Sequence, residues 1–257
     1  MKTWATLVAA TMSLAAAPPR TADQLVAAVL DAAKTTGLRI HATMTVTAAG
    51  AREPAVHQLV VSARRDGRTA DAMYQQLWAG GEKGRALVLD DRGDHRLRGF
   101  EYRPGGATRI DSRMFAERFF DSDLTLEDLA EAFWLWPSRT VVGQEAIGEY
   151  QCVIVELRPP AGAETAYSSV KAWIAPDIAV ALRVETFGAD GHLAKRIGLY
   201  RVTRVGERWV PTILTVEPAA GRSRTVIEGA RVEQDLHLHP IDFTLSRAKA
   251  GVVVRSK

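Results

Sequence analysis

Four carboxylates, Asp121, Asp123, Glu127 and Asp128, fall within Phe120-Asp121-Ser122-Asp123-Leu124-Thr125-Leu126-Glu127-Asp128-Leu129. Two chemistries suit such a group: calcium ligation and a general acid–base pair. Calcium loops place oxygen ligands at alternate positions and turn on a glycine. Here the residue types open a helix instead. Thr125 is placed as N-cap with Asp128 three residues on, a carboxylate form of the capping box. Glu127 and Asp128 also sit where the helix dipole favours negative charge, and Asp123 is expected to bond backbone amides at the same helix start. A second cluster is Asp235-Leu236-His237-Leu238-His239. On a continuous strand these three polar side chains share a face, and two histidines at i and i+2 could hold a metal with Asp235 or Asp242, giving a metal-dependent hydrolase. The simpler reading is an edge strand with a polar outer face. His41, His57, His95 and His192 are scattered. The single cysteine, Cys152, cannot form an internal disulfide; it reads as a small buried strand residue with no activating neighbour. No Gly-x-Ser-x-Gly elbow, phosphate loop or dinucleotide fingerprint occurs. We therefore expect no enzyme, no catalytic residues, no cofactor and no metal.

The elements that position these residues are mostly strands. Thr21-Ala22-Asp23-Gln24 is a capping box, and Leu25, Val26, Val29, Leu30 and Ala33 follow at helical spacing. A helix is predicted over residues 22–35, ended by Gly37. From Ile40 to Thr47 the apolar residues fall on even positions, a half-buried strand. Further strands are predicted at 56–64, 70–79, 85–89, 97–102, 140–145, 151–157, 169–174, 182–187, 194–202, 210–217 and 225–233. Asp66-Gly67 marks a hairpin; Pro176-Asp177, Ala189-Asp190-Gly191 and Val205-Gly206-Glu207 mark tight connections. After Thr125, the stripe Leu126, Leu129, Ala130 and Phe133 predicts a helix running into Trp134-Leu135-Trp136 and stopped by Pro137, with Leu124 stapled to Leu129. Turn signals every eight to twelve residues, with few helices, predict a mostly β fold. The expected architecture is a curved, incompletely closed antiparallel barrel, with helices plugging or capping its opening.

Of the 257 residues, the first 17 read as an export signal: Lys2 is the positive region and Trp4 to Leu14 an apolar core too short to anchor. Cleavage is expected near Ala15 to Ala17, and residues 18–257 form one domain. No cysteine follows the apolar core, so lipidation at a new N-terminus is excluded. Nor is there a second apolar run of about 20 residues. The expected product is a periplasmic protein without a transmembrane helix. The net charge of +3 is small and the basic residues are spread out, with a modest cluster from Arg92 to Arg118. That is no nucleic-acid footprint; a solvated strand-and-loop face is the simpler reading.

What remains is apolar surface beyond the needs of a plain core. Phe133, Trp134 and Trp136 suit either a lid over a concave sheet or an anchor for their helix. The strand residues assigned to an apolar cavity are Met44, Val46, Leu182, Val184, Ile197, Leu199, Leu214 and Val216.

Several segments resemble one family in order. They are Phe100-Glu101-Tyr102-Arg103-Pro104, Phe120 to Leu129, Lys171-Ala172-Trp173-Ile174-Ala175-Pro176-Asp177, Leu182 to Glu185 with Asp190-Gly191, Gly206 to Thr212, Arg224 to Ile227, and Ile241 to Thr244. Together they resemble the outer-membrane lipoprotein-sorting proteins, relatives of the LolA and LolB periplasmic lipoprotein carriers. Phe100 stands where that family has tryptophan, and Asp121 where it has glycine. The resemblance implies an open barrel with helices in its opening and an apolar cavity for acyl chains. It also implies lipoprotein or lipid cargo carried toward the outer membrane, between an inner-membrane exporter and an outer-membrane acceptor. LolB-type receptors are lipid-anchored; lacking the cysteine, this chain looks like a soluble carrier. The alternative is an envelope-sensing, regulatory domain that binds a protein partner on the same fold.

Overall fold

A computed structural model describes residues 20–66, 69–79, 84–92 and 98–252. The segment expected to be an export signal and Gly67 of the first hairpin lie outside them. The chain opens with α1 (Ala22–Ala32), followed by β1 (Thr35–Thr47), β2 (Ala55–Asp66), β3 (Thr69–Ala79), β4 (Arg85–Asp91), β5 (Arg98–Arg103) and β6 (Gly106–Ile110). A connecting segment carries α2 (Leu126–Ala130) and three short 3-10 turns. Then come β7 (Ser138–Ile147), β8 (Tyr150–Arg158), β9 (Tyr167–Ala175), β10 (Val180–Gly188), β11 (Leu193–Val205), β12 (Arg208–Pro218), β13 (Arg224–Glu233) and α3 (Leu245–Val252). All thirteen strands form one antiparallel sheet in the order β6-β5-β4-β3-β2-β1-β13-β12-β11-β10-β9-β8-β7. β6 and β7 are its two edges, so the curved sheet is not closed. The mostly β, incompletely closed architecture expected from the turn spacing is the one observed.

Because β6 and β7 follow each other in the chain but lie on opposite edges, residues 111–137 must cross the sheet. They cross its concave face. Phe115, Phe119, Phe120, Leu124, Leu126, Phe133, Trp134 and Trp136 are all buried there. They share one cluster with Leu25 and Val26 of α1, Met44 and Val46 of β1, Leu87 and Leu89 of β4, and Ala172 and Ile174 of β9. The opposite face holds two smaller clusters. Phe243 and Ala248 cover Met73, Ala86 and Val88, while Cys152, Trp173, Val180 and Leu182 pack together farther along.

Several boundaries moved, each for a local reason. α1 ends at Ala32 and β1 begins at Thr35, so Gly37 lies inside the strand and does not end the helix. A Cβ on Gly37 would sit 1.9 Å from the Leu236 carbonyl oxygen, and the Leu236 amide donates to the Gly37 carbonyl at 3.0 Å. This glycine is required by a close approach of two chain segments. Both predicted capping boxes are formed, Thr21 with Gln24 and Thr125 with Asp128. The helix after Thr125, however, lasts only five residues. Glu131 takes a left-handed conformation (φ 49°) that breaks the expected run, and Ala132–Leu135 is a separate 3-10 turn. The strand expected to carry His237 and His239 stops at Glu233, so the two histidines share no strand face; both are exposed. β6 and α3 had no counterpart in the sequence reading.

Candidate functional site

The connecting segment is fastened by a buried polar network around Asp123 and Asp128. Lys195 of β11 reaches across to donate to the Asp128 carboxylate at 2.7 Å and to the Asp123 carbonyl at 3.1 Å. Asp128 also accepts from the Tyr167 hydroxyl at 2.6 Å and from the Thr125 amide at 2.7 Å. Asp123 accepts from Ser223 at 2.7 Å, from Thr225 at 2.9 Å and from Arg118 at 3.2 Å. Glu127 accepts from the Thr165 hydroxyl and, at 3.0 Å, from the Ala166 amide. Burial pushes the Glu127 carboxyl above its usual range, partly opposed by those two bonds. Burial likewise pushes the Tyr167 hydroxyl up, further raised by the neighbouring Asp128. The acidic group of the sequence is thus a clamp between segment and sheet. Its capping role was legible; Lys195, more than sixty residues away, was not.

Asp121, at the position where the resemblance expects glycine, has φ 63°, and Phe120 before it has φ 45°. Both are left-handed, the region glycine enters without steric cost and Asp tolerates. The turn forms with Asp121, whose carboxylate pairs with Arg85 at 3.0 Å. The Arg85 guanidinium lies 4.9 Å from the Phe120 ring centroid.

Beside this clamp the segment does not fill the concave face. A hollow of about 400 Å³ lies between the end of α2 and the sheet. Its floor is a cross-strand row: Leu199 pairs with Leu214, and Leu214 with Ile227. Val184 and Ile197 continue it on the next rung. Leu38, Ile40, Tyr74, Leu89 and Phe115 form walls, and Ala63, Ala70 and Ala72 keep one side shallow. Leu124, Leu129, Ala130 and Phe133 form the roof. Arg64, Arg65, Asp71, Asp90, Asp91, Asp128 and Glu131 also contribute to the lining, with Ala33, Thr35 and Ala132. Arg64 donates to Asp71 at 2.6 Å, and Arg65 lies 4.0 Å from Glu131. Glu131 is half exposed; partial loss of solvation beside the segment pushes its carboxyl up, opposed by Arg65. The volume lies within the roughly 300–1,000 Å³ of small-molecule sites.

Of the residues assigned to a cavity, Val184, Ile197, Leu199, Leu214 and Phe133 line this hollow. Met44, Val46 and Val216 are on the same face but fully packed in the core. Trp134 and Trp136 are also packed there, with Trp136 edge-on to Phe133 at 6.4 Å, so they anchor the segment and do not border the hollow. Leu182 is on the other face. The β9–β10 register jumps from Ala181 opposite Ile174 to Arg183 opposite Trp173, a bulge that turns Leu182 outward to Cys152 and Trp173. Simple alternation with Val184 cannot reveal such an extra residue. Ile227, Leu129 and the alanines of β2 and β3 were not assigned to the cavity from sequence, because Ala is a weak signal, half of β13 is polar or charged, and Leu129 reads first as part of a helix stripe.

No helix among the described residues is long and apolar enough to cross a membrane, and among them no three His, Cys, Asp or Glu side chains are grouped to hold a metal. A family model described as an uncharacterized protein matches residues 100–248. No curated protein matches. Among solved structures, a DUF1329 family protein from Desulfovibrio piger is 20% identical, with a TM-score of 0.79 over 88% of this chain and 96% of its own. A domain from Vibrio parahaemolyticus described as outer membrane lipoprotein-sorting is 14% identical, with a TM-score of 0.81 over 89% and 98%. A LolA superfamily protein from Nitrosomonas europaea is 16% identical, with a TM-score of 0.71 over 89% and 99%. The curved, open sheet with helices in its opening is therefore the fold of that superfamily.

Proposed function

The chain belongs to the uncharacterized-protein family matched over residues 100–248, and from that premise and its fold we propose that it carries acyl chains in the periplasm. The cargo, a lipid or lipoprotein, would enter the hollow between the sheet and the 111–137 segment and travel toward the outer membrane. The exchange partners would be an inner-membrane exporter and an outer-membrane acceptor. No side chain takes part in bond chemistry; the protein works by sequestration and hand-off.

One observation carries this reading: a sheet face rich in Leu, Ile and Val stops short of closing on its own plug and leaves about 400 Å³ open. Ordinary interiors are close-packed, because unfilled space forfeits dispersion contacts and apolar burial. An acyl chain would recover both. At ~0.8 kcal/mol per buried methylene, ten methylenes are worth about 8 kcal/mol gross. Ordering the chain offsets much of that, which leaves binding tight yet releasable.

Native mass spectrometry of protein taken from the envelope of its own host tests the proposal. Co-purified acyl species at stoichiometric level are expected. Protein without any acyl species, and with no displacement of an apolar fluorescent probe by any lipid, would remove the basis for carriage.

A further inference from the structure

The β11–β12 hairpin stands apart from the rest of the sheet. The β10–β11 register stops at Arg183 opposite Gly198, and the β12–β13 register begins only at Ile213 opposite Glu228. Beyond those points β11 and β12 go on pairing with each other: Val202 with Pro211, Thr203 with Val210, Arg204 with Trp209 and Val205 with Arg208. These pairs form a two-stranded ribbon roughly 13 Å long, at ~3.3 Å per residue. Arg201, where β11 leaves the sheet, has φ 49°, a left-handed value that a non-glycine residue adopts only at a cost. Its carbonyl accepts from the Thr212 hydroxyl at 3.0 Å, and Val202 packs on the cluster of Cys152 and Trp173. The foot of the ribbon is thus fixed, while its turn, Gly206 and Glu207, is exposed. Antiparallel pairing puts that turn at the rim of the sheet where β1 and β3 start and β2 and β4 end. Thr35, Arg65, Ala70 and Asp91, at those ends, border the hollow. From Arg201 to Thr212 the charged side chains are three arginines, Arg201, Arg204 and Arg208, against Glu207 alone. Glu207 pairs with Arg204 at 2.7 Å, but both are largely exposed and such a pair is worth little. Trp209, directly opposite Arg204, is 39% exposed, whereas Trp134, Trp136 and Trp173 are buried.

We infer that the ribbon is a membrane-contact element that sets this rim on an anionic bilayer, with Trp209 at head-group level and the three arginines on lipid phosphates. Tryptophan concentrates at the boundary of water and hydrocarbon because its ring is apolar and its N–H polar. Arginine forks bond phosphate oxygens in charge-assisted pairs. Each basic residue near an anionic leaflet adds attraction that fades within a Debye length, about 8 Å at physiological salt. A protein partner suits the ribbon less. A stable protein interface takes about 800 Å² from each side, more than a strip two strands wide and four pairs long presents. The inference goes beyond the carrier reading: it rests on that reading for its purpose, passing cargo between hollow and bilayer, but the contact itself does not depend on cargo.

The test is flotation of the full chain with vesicles of phosphatidylcholine alone, or with about a third phosphatidylglycerol, at low and physiological salt. Binding to the phosphatidylglycerol vesicles is expected, falling as salt rises and at least about fivefold weaker on phosphatidylcholine. Arg204→Gln, Arg208→Gln and Trp209→Ala should each weaken it about fivefold, with thermal midpoints unchanged. Val142→Ala, at a residue equally exposed but four strands away on β7, should leave binding as it is. No binding to either vesicle, equal binding to both, or binding untouched by all three ribbon variants overturns the contact. A dimer in sedimentation velocity that Trp209→Ala dissociates would assign the ribbon to a second copy and overturn it too. Uptake of a soluble apolar probe, read on the same proteins, should be unchanged by the ribbon variants. Probe uptake without vesicle binding overturns the contact and leaves carriage standing; vesicle binding without probe uptake removes carriage and leaves the contact.

Discussion

Replacing Lys195 with methionine tests whether the 111–137 segment is held by its polar clamp. In the native protein the ammonium lies 2.7 Å from Asp128, with both side chains nearly excluded from solvent. Breaking one side of a buried pair generally costs about 3–5 kcal/mol, because the remaining charge is left without compensation. Here Asp128 would keep the Tyr167 hydroxyl, the Thr125 amide and the Thr125 hydroxyl. Those donors place the expected loss at the low end, about 3 kcal/mol. For a chain of this size, at ~2–4 °C per kcal/mol, that lowers the thermal midpoint by roughly 6–12 °C. Urea unfolding and calorimetry on the same samples would measure it. Asp128→Asn combined with Lys195→Met removes both charges and should recover much of the loss, so the two substitutions must be non-additive. Acyl-chain affinity should fall with Lys195→Met alone, because Leu129 to Phe133 form the roof of the hollow. A Lys195→Met protein within about 1 kcal/mol of the parent would refute the clamp.

Leu199→Trp places an indole in open space, so lipid uptake should fall at least tenfold while stability changes by less than about 1.5 kcal/mol; probe titration and urea midpoints check the two together. Gly37→Ala drives a Cβ into the Leu236 carbonyl and should cost about 1–3 kcal/mol. Hydrogen exchange should quicken at the Leu236 and Leu238 amides, which bond to Gly37 and Thr36. Glu127 has a carboxyl raised by burial, so the folded state holds its proton to higher pH than the unfolded chain. Its stabilising contribution is complete below the ordinary Glu range near pH ~4.3 and fades as pH rises through the folded value. Glu127→Gln should therefore flatten the fall of stability with pH over that interval; an unchanged slope in pH-dependent urea midpoints would assign the slope to other groups.

Much of the fold was legible because its signals are local. The capping boxes at Thr21 and Thr125, the alternation from Ile40 to Thr47, and the Gly and Asp turns at 190–191 and 206 each fix a short stretch of backbone. β6 was not legible: five residues, four of them exposed and only Ile110 large and apolar, offer no alternation to see. Leu182 was misplaced because a bulge shifts parity without changing composition. The length of α2 was misjudged because the apolar stripe continues through Glu131, and only tertiary packing shows that this residue is left-handed. The hollow itself depends on Leu199, Leu214 and Ile227 meeting across strands while the plug passes elsewhere. The resemblance to lipoprotein-sorting proteins reached that architecture from short segments, and the solved structures share it as a fold.

The carrier account is tested most directly by photolabelling with a lipid that bears a diazirine at the chain terminus, followed by mapping of the adducts. Covalent adducts at Leu199, Leu214 or Phe133, abolished by excess unlabelled lipid and by Leu199→Trp, are the predicted result. Adducts confined to outer exposed residues such as Trp209 and Ile241, or indifferent to competitor, would contradict it.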